Sequence, residues 1–592
     1  MQNNDRIISD KAPVFNLKKA FAALLFTGFF CGQSFAQTTI NSVTPNTNYP
    51  GGEVVISGTD FNTSAEKNIV YFGATKATVK VASQNQLTVM VPAGAVYAPV
   101  SVLNTETKLT AYSRLSFLPT YSNRQPGTNN FNSPINRSTG ESPRNIAIGD
   151  IDGDGKPDLA VVNTVGKTVS VFRNISEAGS LTETSFAQRV DFEVDESYGV
   201  VLKDLNGDGK LDMAVTSADK FKLNVFRNIG SPGSITENSF APRKTFATGG
   251  YSVGLAAGDI DGDGKTDIVT SNFTYETISI LRNISNSDSI SFAEKVDFHL
   301  DGDRVSTVAI ADLDGDNKPE ILVGNQFGFG GGSVAVFRNR TEKGNISRSG
   351  FDVFELTVGS PECITVGDLN GDNKPEIIAG SFSAYSLIIF ENNSTTGNLS
   401  KSSFAAPVSL KTSQGAVGVE IADMDGDGKP DVVAANSLSY TPINIFLNKN
   451  NAGTITENSF APRADFAAEL ALEDLAVGDL DGDHQPDIIV AAENGNMLTI
   501  LRNNQQNVSI KEVQSAAYFE LYPNPAVQSF TIETKETGFL YFYSLEGKEI
   551  TSFKVTGNTS HFSLPFDMNR GLYLCKFIGR SGASTTSKLL VK

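Results

Sequence analysis

Between residues 131 and 503 the apolar positions fall in short runs, four to seven residues long, broken by Gly, Asn, Asp and Ser. None keeps a helical period. The first unit shows the order: Asn145 to Gly149, Leu159 to Val162, Thr168 to Arg173 and Phe186 to Phe192. β-Branched and aromatic content with turn-forming boundaries predicts four antiparallel strands, A to D. The third run returns as NVFRN, SILRN, AVFRN, IIFEN, NIFLN and TILRN. One acidic phrase sits between runs A and B in every unit, as DIDGDGKPD at 150, DLNGDGKLD at 204, DIDGDGKTD at 259, DLDGDNKPE at 312, DLNGDNKPE at 368, DMDGDGKPD at 423 and DLDGDHQPD at 479. A fixed spacing of 53 to 56 residues marks a repeat architecture. Four strands in each of seven units predict an all-β chain with a seven-bladed β-propeller; an open β-solenoid would use shorter coils. The last unit stops after its third strand, at Thr499 to Asn503, whereas Phe131 to Arg137 resembles a fourth strand standing before the first unit. This segment is expected to complete the last blade and to remove a free edge.

The flanks are patterned differently. Residues 1–36 carry Lys18 and Lys19, an apolar run from Ala20 to Phe30 and the small-x-small triplet Ser34-Phe35-Ala36, which reads as a signal peptide cleaved near Ala36. Eleven apolar residues are too few to cross a bilayer, and no later run is longer, so no transmembrane segment is expected. Residues 37–120 alternate apolar and polar positions between Gly, Pro and Asn turns, as a small β-sandwich would. A polar linker, 121–130, leads into the repeats at 131–503. A second linker, 504–516, precedes another strand-rich segment, 517–592.

Within each nonapeptide, positions 1, 3, 5 and 9 offer side-chain oxygens: Asp150, Asp152, Asp154 and Asp158; Asp204, Asn206, Asp208 and Asp212; Asp259, Asp261, Asp263 and Asp267; Asp312, Asp314, Asp316 and Glu320; Asp368, Asn370, Asp372 and Glu376; Asp423, Asp425, Asp427 and Asp431; Asp479, Asp481, Asp483 and Asp487. Four such groups in nine residues repel one another unless a cation neutralises them. Hard oxygen ligands on a flexible loop select Ca²⁺, up to seven ions in all. An EF-hand is excluded because the bidentate Glu at position 12 is missing and the flanks are strands. Position 6, which holds Gly, Asn or His484, reads as a positive-φ site, and Asn206 and Asn370 should weaken the second and fifth loops.

On these residues the repeats resemble the FG-GAP/VCBS family of integrin-α-like propellers, over roughly Phe131 to Asn503. The resemblance implies calcium in the A–B turns and no particular activity. SVTPNTNYPGGEVVISGTDF, VYFG and LTVMVP resemble the IPT/TIG family, which implies an immunoglobulin-like fold for residues 37–120 and a spacer or adhesion module. Spacer is favoured here because the segment gathers no reactive groups. Tyr522-Pro523-Asn524-Pro525, Ser544 to Lys548, Gly571-Leu572-Tyr573 and the ending Lys588 to Lys592 resemble the type IX secretion sorting domain. That resemblance implies handling by the type IX machinery and a secreted or outer-surface location.

With calcium on one face of the blades, the B–C and D–A turns form the other, and the sequence places Tyr198, Tyr251, Phe273, Tyr275, Phe327, Phe329, Phe382, Tyr385 and Tyr440 there. Tyr198, Tyr251, Tyr275, Phe327, Tyr385 and Tyr440 are the candidate rim for an extracellular glycan or protein ligand. No catalytic constellation is visible. His299, His484 and His561 are scattered, Cys363 and Cys575 sit in apolar runs, and His299 with Asp301 and Asp303 is the least implausible cluster. The expected function is a monomeric, non-catalytic adhesion or ligand-binding protein. The alternative is a polysaccharide-degrading enzyme or accessory subunit.

Charge sharpens this picture. The chain has 66 acidic and 48 basic residues, a net −18, which argues against nucleic-acid binding. The nonapeptides hold 26 acids and six Lys, while the rest of residues 37–592 carries 38 of each sign. The whole acid surplus therefore belongs to the loops. With only two Cys after the signal, calcium takes the place of disulfides as the expected staple.

Overall fold

The computed structural model describes residues 37–121, 131, 133–302, 304–327, 331–437, 442–450, 452–469, 471–503, 519–544, 548–565, 568–580 and 584–592. The signal peptide, nearly all of both linkers, Asp303, Phe329 and Tyr440 lie outside these residues. The chain is all-β and divides into two compact units, 1–505 and 506–592.

Seven four-stranded antiparallel sheets follow one another among the described residues of the repeat region. The first comprises Pro143–Gly149, Asp158–Asn163, Thr168–Phe172 and Val190–Glu193. Burial follows strand order. All six residues of Asp158–Asn163 are buried, as are those of Asp212–Ser217 and Asp267–Asn272, whereas Val190–Glu193 keeps only Phe192 inside. A strand covered on both faces needs a continuous apolar run, which is why the B runs do not alternate.

The first strands pack in a closed cycle, from Pro143–Gly149 through Val200–Lys203, Ser252–Gly258, Arg304–Ala311, Pro361–Gly367, Ala416–Ala422 and Leu472–Gly478 back to Pro143–Gly149. Small residues make this approach possible: a Cβ on Gly254 would lie 2.5 Å from the Ser306 carbonyl oxygen. The seventh sheet takes its fourth strand from the N-terminal side, Ile135–Ser138 pairing with Met497–Leu501 in the register Ile135↔Ile500. Phe131 bridges Asn503 and packs edge-on against Phe466 at 4.8 Å.

The N-terminal segment forms an eight-stranded β assembly from Thr39 to Pro119 around Val54, Ile56, Phe72, Leu87 and Phe117. It is not a detached spacer. It docks on the acidic loops themselves: Ala74 O accepts from Asp150 N at 2.9 Å, Tyr71 Oη donates to Gly209 O at 2.8 Å, and Thr110 N donates to Gly264 O at 2.8 Å. Tyr97 Oη accepts from Asp368 N at 3.1 Å, Arg114 Nη2 donates to Asn373 O at 3.0 Å, and Thr120 Oγ1 donates to Asp423.

The C-terminal unit builds a three-stranded sheet from Phe519–Tyr522, Ser529–Thr534 and Thr559–Ser563. Its second sheet joins Glu549–Val555, Gly538–Tyr543, Gly571–Gly579 and Ser584–Val591. Phe530, Phe542, Cys575 and Phe577 form its centre.

The closing strand carries a stability prediction. Deleting residues 131–137 leaves Met497–Leu501 as an open edge and uncovers the core around Leu498 and Ile500. The melting temperature should fall by about 10 °C or more, and an unchanged calorimetric melt would refute the closure.

Candidate functional site

Each acidic loop is bent by two residues in the left-handed region. Position 4 is always Gly, with φ from 69° at Gly262 to 77° at Gly371, and position 6 is Gly, Asn317 (65°), Asn373 (65°) or His484 (74°). His484 is thus explained by backbone geometry, since His enters this region more readily than most residues. The position 1 carboxylate closes the turn: Asp204 accepts from Gly207 N and Gly209 N, both at 2.8 Å, and Asp479 Oδ2 accepts from His484 N at 2.9 Å.

Position 9 anchors the loop to the sheet. Asp158 accepts from Ile151 N at 3.0 Å and from Asn174 N at 2.8 Å, and Asp267 does the same with Ile260 N and Asn283 N. That Asn, the last residue of every FRN-type phrase, is buried and reaches further. Asn174 Nδ2 donates to Pro157 O in its own loop and to Leu480 O in the seventh; Asn228 reaches Ile151 O, Asn283 reaches Leu205 O and Asn339 reaches Ile260 O. Asn392, Asn448 and Asn503 contact Leu313, Leu369 and Met424 in the same way. The sequence displayed this Asn seven times, but its partner lies 77 to 79 residues upstream in six units and 306 residues downstream in the first, and could not be read from spacing.

The carboxylates converge in five loops. Asp150, Asp152 and Asp158 offer oxygens within 4.8 Å of one another, as do Asp423, Asp425 and Asp431. In the third, fourth and seventh loops positions 1, 3 and 5 form the group: Asp259, Asp261 and Asp263; Asp312, Asp314 and Asp316; Asp479, Asp481 and Asp483. The second and fifth loops form no such trio among the described residues; Asn206 Nδ2 donates to Asp208 Oδ2 at 2.9 Å, filling one carboxylate oxygen with a hydrogen bond.

Two observations fit these loops to a hard cation. Every donor is an oxygen, and Asp150 Oδ1 and both Asp314 carboxylate oxygens are buried without a hydrogen-bond partner. Such groups are costly unless something satisfies them. Burial, reinforced by neighbouring carboxylates, pushes Asp150 up to about 6, Asp259 to about 7, and Glu320 and Glu376 to about 9. On the outer side, the arginine ending the third strand supplies a fixed countercharge: Arg173 Nε lies 2.5 Å from Asp152 Oδ2 and its Nη2 2.7 Å from Asp154 Oδ2, with Arg282 and Arg502 placed alike.

At the opposite ends of the sheets, Tyr275, Phe327 and Tyr385 are exposed, at 53%, 39% and 49%. Phe221, which the sequence reading missed, is exposed too and stacks edge-on with Tyr275 at 5.6 Å. Its signal was its place in the second unit's B–C turn, equivalent to Glu276 in the third. Tyr198 and Tyr251 are less free than a stacking platform requires: their rings are 5.7 Å apart and both hydroxyls lie on Glu196. Arg144 stands over the Tyr198 ring at 5.8 Å and pairs with both Glu473 and Glu493. Glu473 is pushed up to about 7 by burial, while Glu493 is lowered. His299 faces Glu276 at 3.8 Å, and Cys363 and Cys575 are buried and free.

Comparison with known proteins agrees with this anatomy. The chain carries FG-GAP repeats, matching an FG-GAP-like repeat model at 204–270, 368–434 and 423–490 and an FG-GAP repeat model at 142–179, 305–337 and 472–510. It also carries an IPT/TIG domain at 38–117 and a secretion system C-terminal sorting domain at 520–592. No curated protein matches it. Among solved structures, an auxiliary nutrient binding protein from Bacteroides thetaiotaomicron is 9% identical, covering 79% of this chain and 98% of that one, with a TM-score of 0.33. BBS1N in complex with ARL6DN is 12% identical over 64% of this chain and 98% of that one, at 0.41. The exotype rhamnogalacturonan lyase YesX is 13% identical over 79% and 89%, at 0.33. Scores this low carry neither architecture nor activity across.

The raised carboxyls fix the sign of a pH effect. Unfolded Asp and Glu titrate near 4, so the ion-free folded chain binds more protons than the unfolded one from about pH 4 up to about 9, and stability falls as pH rises through that window. With chelator present, the melting temperature at pH 5 should exceed that at pH 8 by about 5 °C; a higher value at pH 8 would contradict the assignment.

Proposed function

We propose that this chain is an exported, calcium-binding, seven-bladed β-propeller that recognises an extracellular glycan or protein ligand without catalysing a reaction. Each four-stranded sheet is one blade, and the strand at 135–138 locks the ring. Asp150 Oδ1 and Asp314 Oδ1, buried without a hydrogen-bond partner, are the observation that carries the metal reading. Ca²⁺ is the ion of choice because the donors are carboxylate oxygens on a curled loop, with no His or Cys ligand. Positions 1, 3, 5 and 9 would hold it, and the second and fifth loops, with Asn at position 3, would hold it less tightly.

The N-terminal domain occupies the loop face, so the B–C turns carry the accessible aromatic rim. Tyr275, Phe327, Tyr385 and the added Phe221 present ring faces suited to sugars or to apolar protein side chains. The sorting domain supports export through the type IX machinery, and the amino-terminal signal, cleaved near Ala36, would supply the first membrane passage.

The enzyme reading keeps one specific support, the Glu473 and Glu493 pair. Two neighbouring carboxyls whose pKa values are driven apart can serve as acid and base. Arg144 bonds to both, however, and the same contacts make a structural ion-pair network.

Two measurements test these readings. Chelating calcium should lower the melting temperature by at least 10 °C and readdition should restore it, with Asp259→Asn reducing the gain; a melt indifferent to EDTA would rule out the metal. On a glycan and matrix-protein panel, the double variant Tyr275→Ala/Tyr385→Ala should bind about tenfold more weakly at an unchanged melt. Undiminished binding would remove the rim, and new reducing ends that vanish with Glu473→Gln would favour the enzyme.

A further inference from the structure

The N-terminal domain does not fill the space beneath it. Between this domain and the first strands of the ring lies a cavity of about 750 Å³, within the range of small-molecule sites. Tyr97, Tyr112 and Arg114 wall it from above, and Lys203, Gly258, Ala311 and Gly367 from the ring.

Lys203 does not belong to the pattern of that wall. The residue preceding the first Asp of each loop is Gly149, Gly258, Gly367 or Gly478, or else Ala311 or Ala422; only the second unit places a long side chain there. Elsewhere the position is small because neighbours press on it: a Cβ on Gly149 would lie 2.8 Å from the Ala74 Cβ, and one on Gly367 2.7 Å from Tyr97 Oη. Lys203 is partly buried and borders the cavity, and its ammonium group makes no hydrogen bond or ion pair among the described residues; the Tyr112 ring lies 5.9 Å from Nζ. The acids that share the cavity wall do not serve it. Asp259, Asp312 and Asp368 turn their oxygens to backbone N–H groups of their own loops. Arg114 is engaged by Asn373 O, and the Tyr112 hydroxyl by Thr266 Oγ1 at 2.7 Å. An ammonium group withdrawn from bulk water without an anion is unfavourable, and the cavity has room for the missing partner.

We propose that this cavity binds a small carboxylate, of the class of a hydroxy acid or a sugar acid, with Lys203 as its anchoring cation and the Tyr112 ring as its wall. The site is separate from the aromatic rim and needs no metal as ligand. A carboxylate would gain a charge-assisted hydrogen bond in a space of low dielectric. A neutral sugar of the same size would leave the ammonium unpaired.

The full chain, in calcium, should be titrated by calorimetry with galacturonate, lactate and glucose. Galacturonate binding alone would identify a sugar acid, and lactate binding alone a simple hydroxy acid. Lys203→Met, which keeps the length and apolar stem, should weaken the carboxylate at least tenfold with an unchanged melt. Should that variant fail to fold, the native chain provides the readout: acetylation of Lys203 by an activated ester, followed by peptide mass spectrometry, should slow severalfold with the bound carboxylate and not with glucose. Absence of saturable carboxylate binding, equal affinity in Lys203→Met, or equal protection by glucose would each overturn the proposal.

Discussion

A single asparagine, repeated in every unit, holds the repeat region together. Its backbone N–H goes to the position 9 carboxylate of its own loop, and its side-chain amide bridges that loop to the loop of the preceding unit. The bond from Asn174 to Leu480 O spans 306 residues and turns a linear series into a cycle. Each bond adds about 1 kcal/mol net, but a broken one strands buried carbonyls at a cost of about 1–3 kcal/mol. Once the loops are fixed by this clip, the carboxylates at positions 1, 3 and 5 are held in proximity whether or not that is electrostatically favourable.

The raised carboxyls, the unpartnered Oδ1 of Asp150 and the arginine countercharges follow from that constraint. A chain neutral elsewhere concentrates its acid surplus in seven turns, where protons, arginine or a divalent ion must answer it. The same turns present backbone groups to the N-terminal domain. Loop formation, charge compensation and domain docking are therefore coupled at one face, and the exposed rings of Phe221, Tyr275, Phe327 and Tyr385 lie at the opposite ends of the sheets. Metal uptake at Asp423 or Asp368 would act on the contacts made by Thr120 and Tyr97.

What could be read from one dimension was whatever repeats locally. The four runs per unit, the seven acidic phrases and the two flanking β segments are set by turn chemistry and apolar periodicity, which act over a few residues. Even the closing strand was visible, because Phe131 to Arg137 copies a fourth-strand phrase while the last unit lacks one. The position 6 residues were legible for the same reason: a tight turn needs positive φ at that place, whatever surrounds it.

Contacts across long separations were not legible. That the N-terminal domain covers the acidic loops depends on Tyr71 and Tyr97 meeting backbone groups 138 and 271 residues away, and on Tyr112 meeting the Thr266 hydroxyl 154 residues away. The exposure of Phe221, the capture of Tyr198 and Tyr251 by Glu196, and the enclosure of Lys203 beneath the docked domain arise likewise from neighbours that no spacing specifies. Sequence determined the units and their chemistry, because both are properties of short segments. Tertiary structure decided which face is covered, which rings are free and which charge lacks a partner, because burial and pairing depend on where distant segments come to rest.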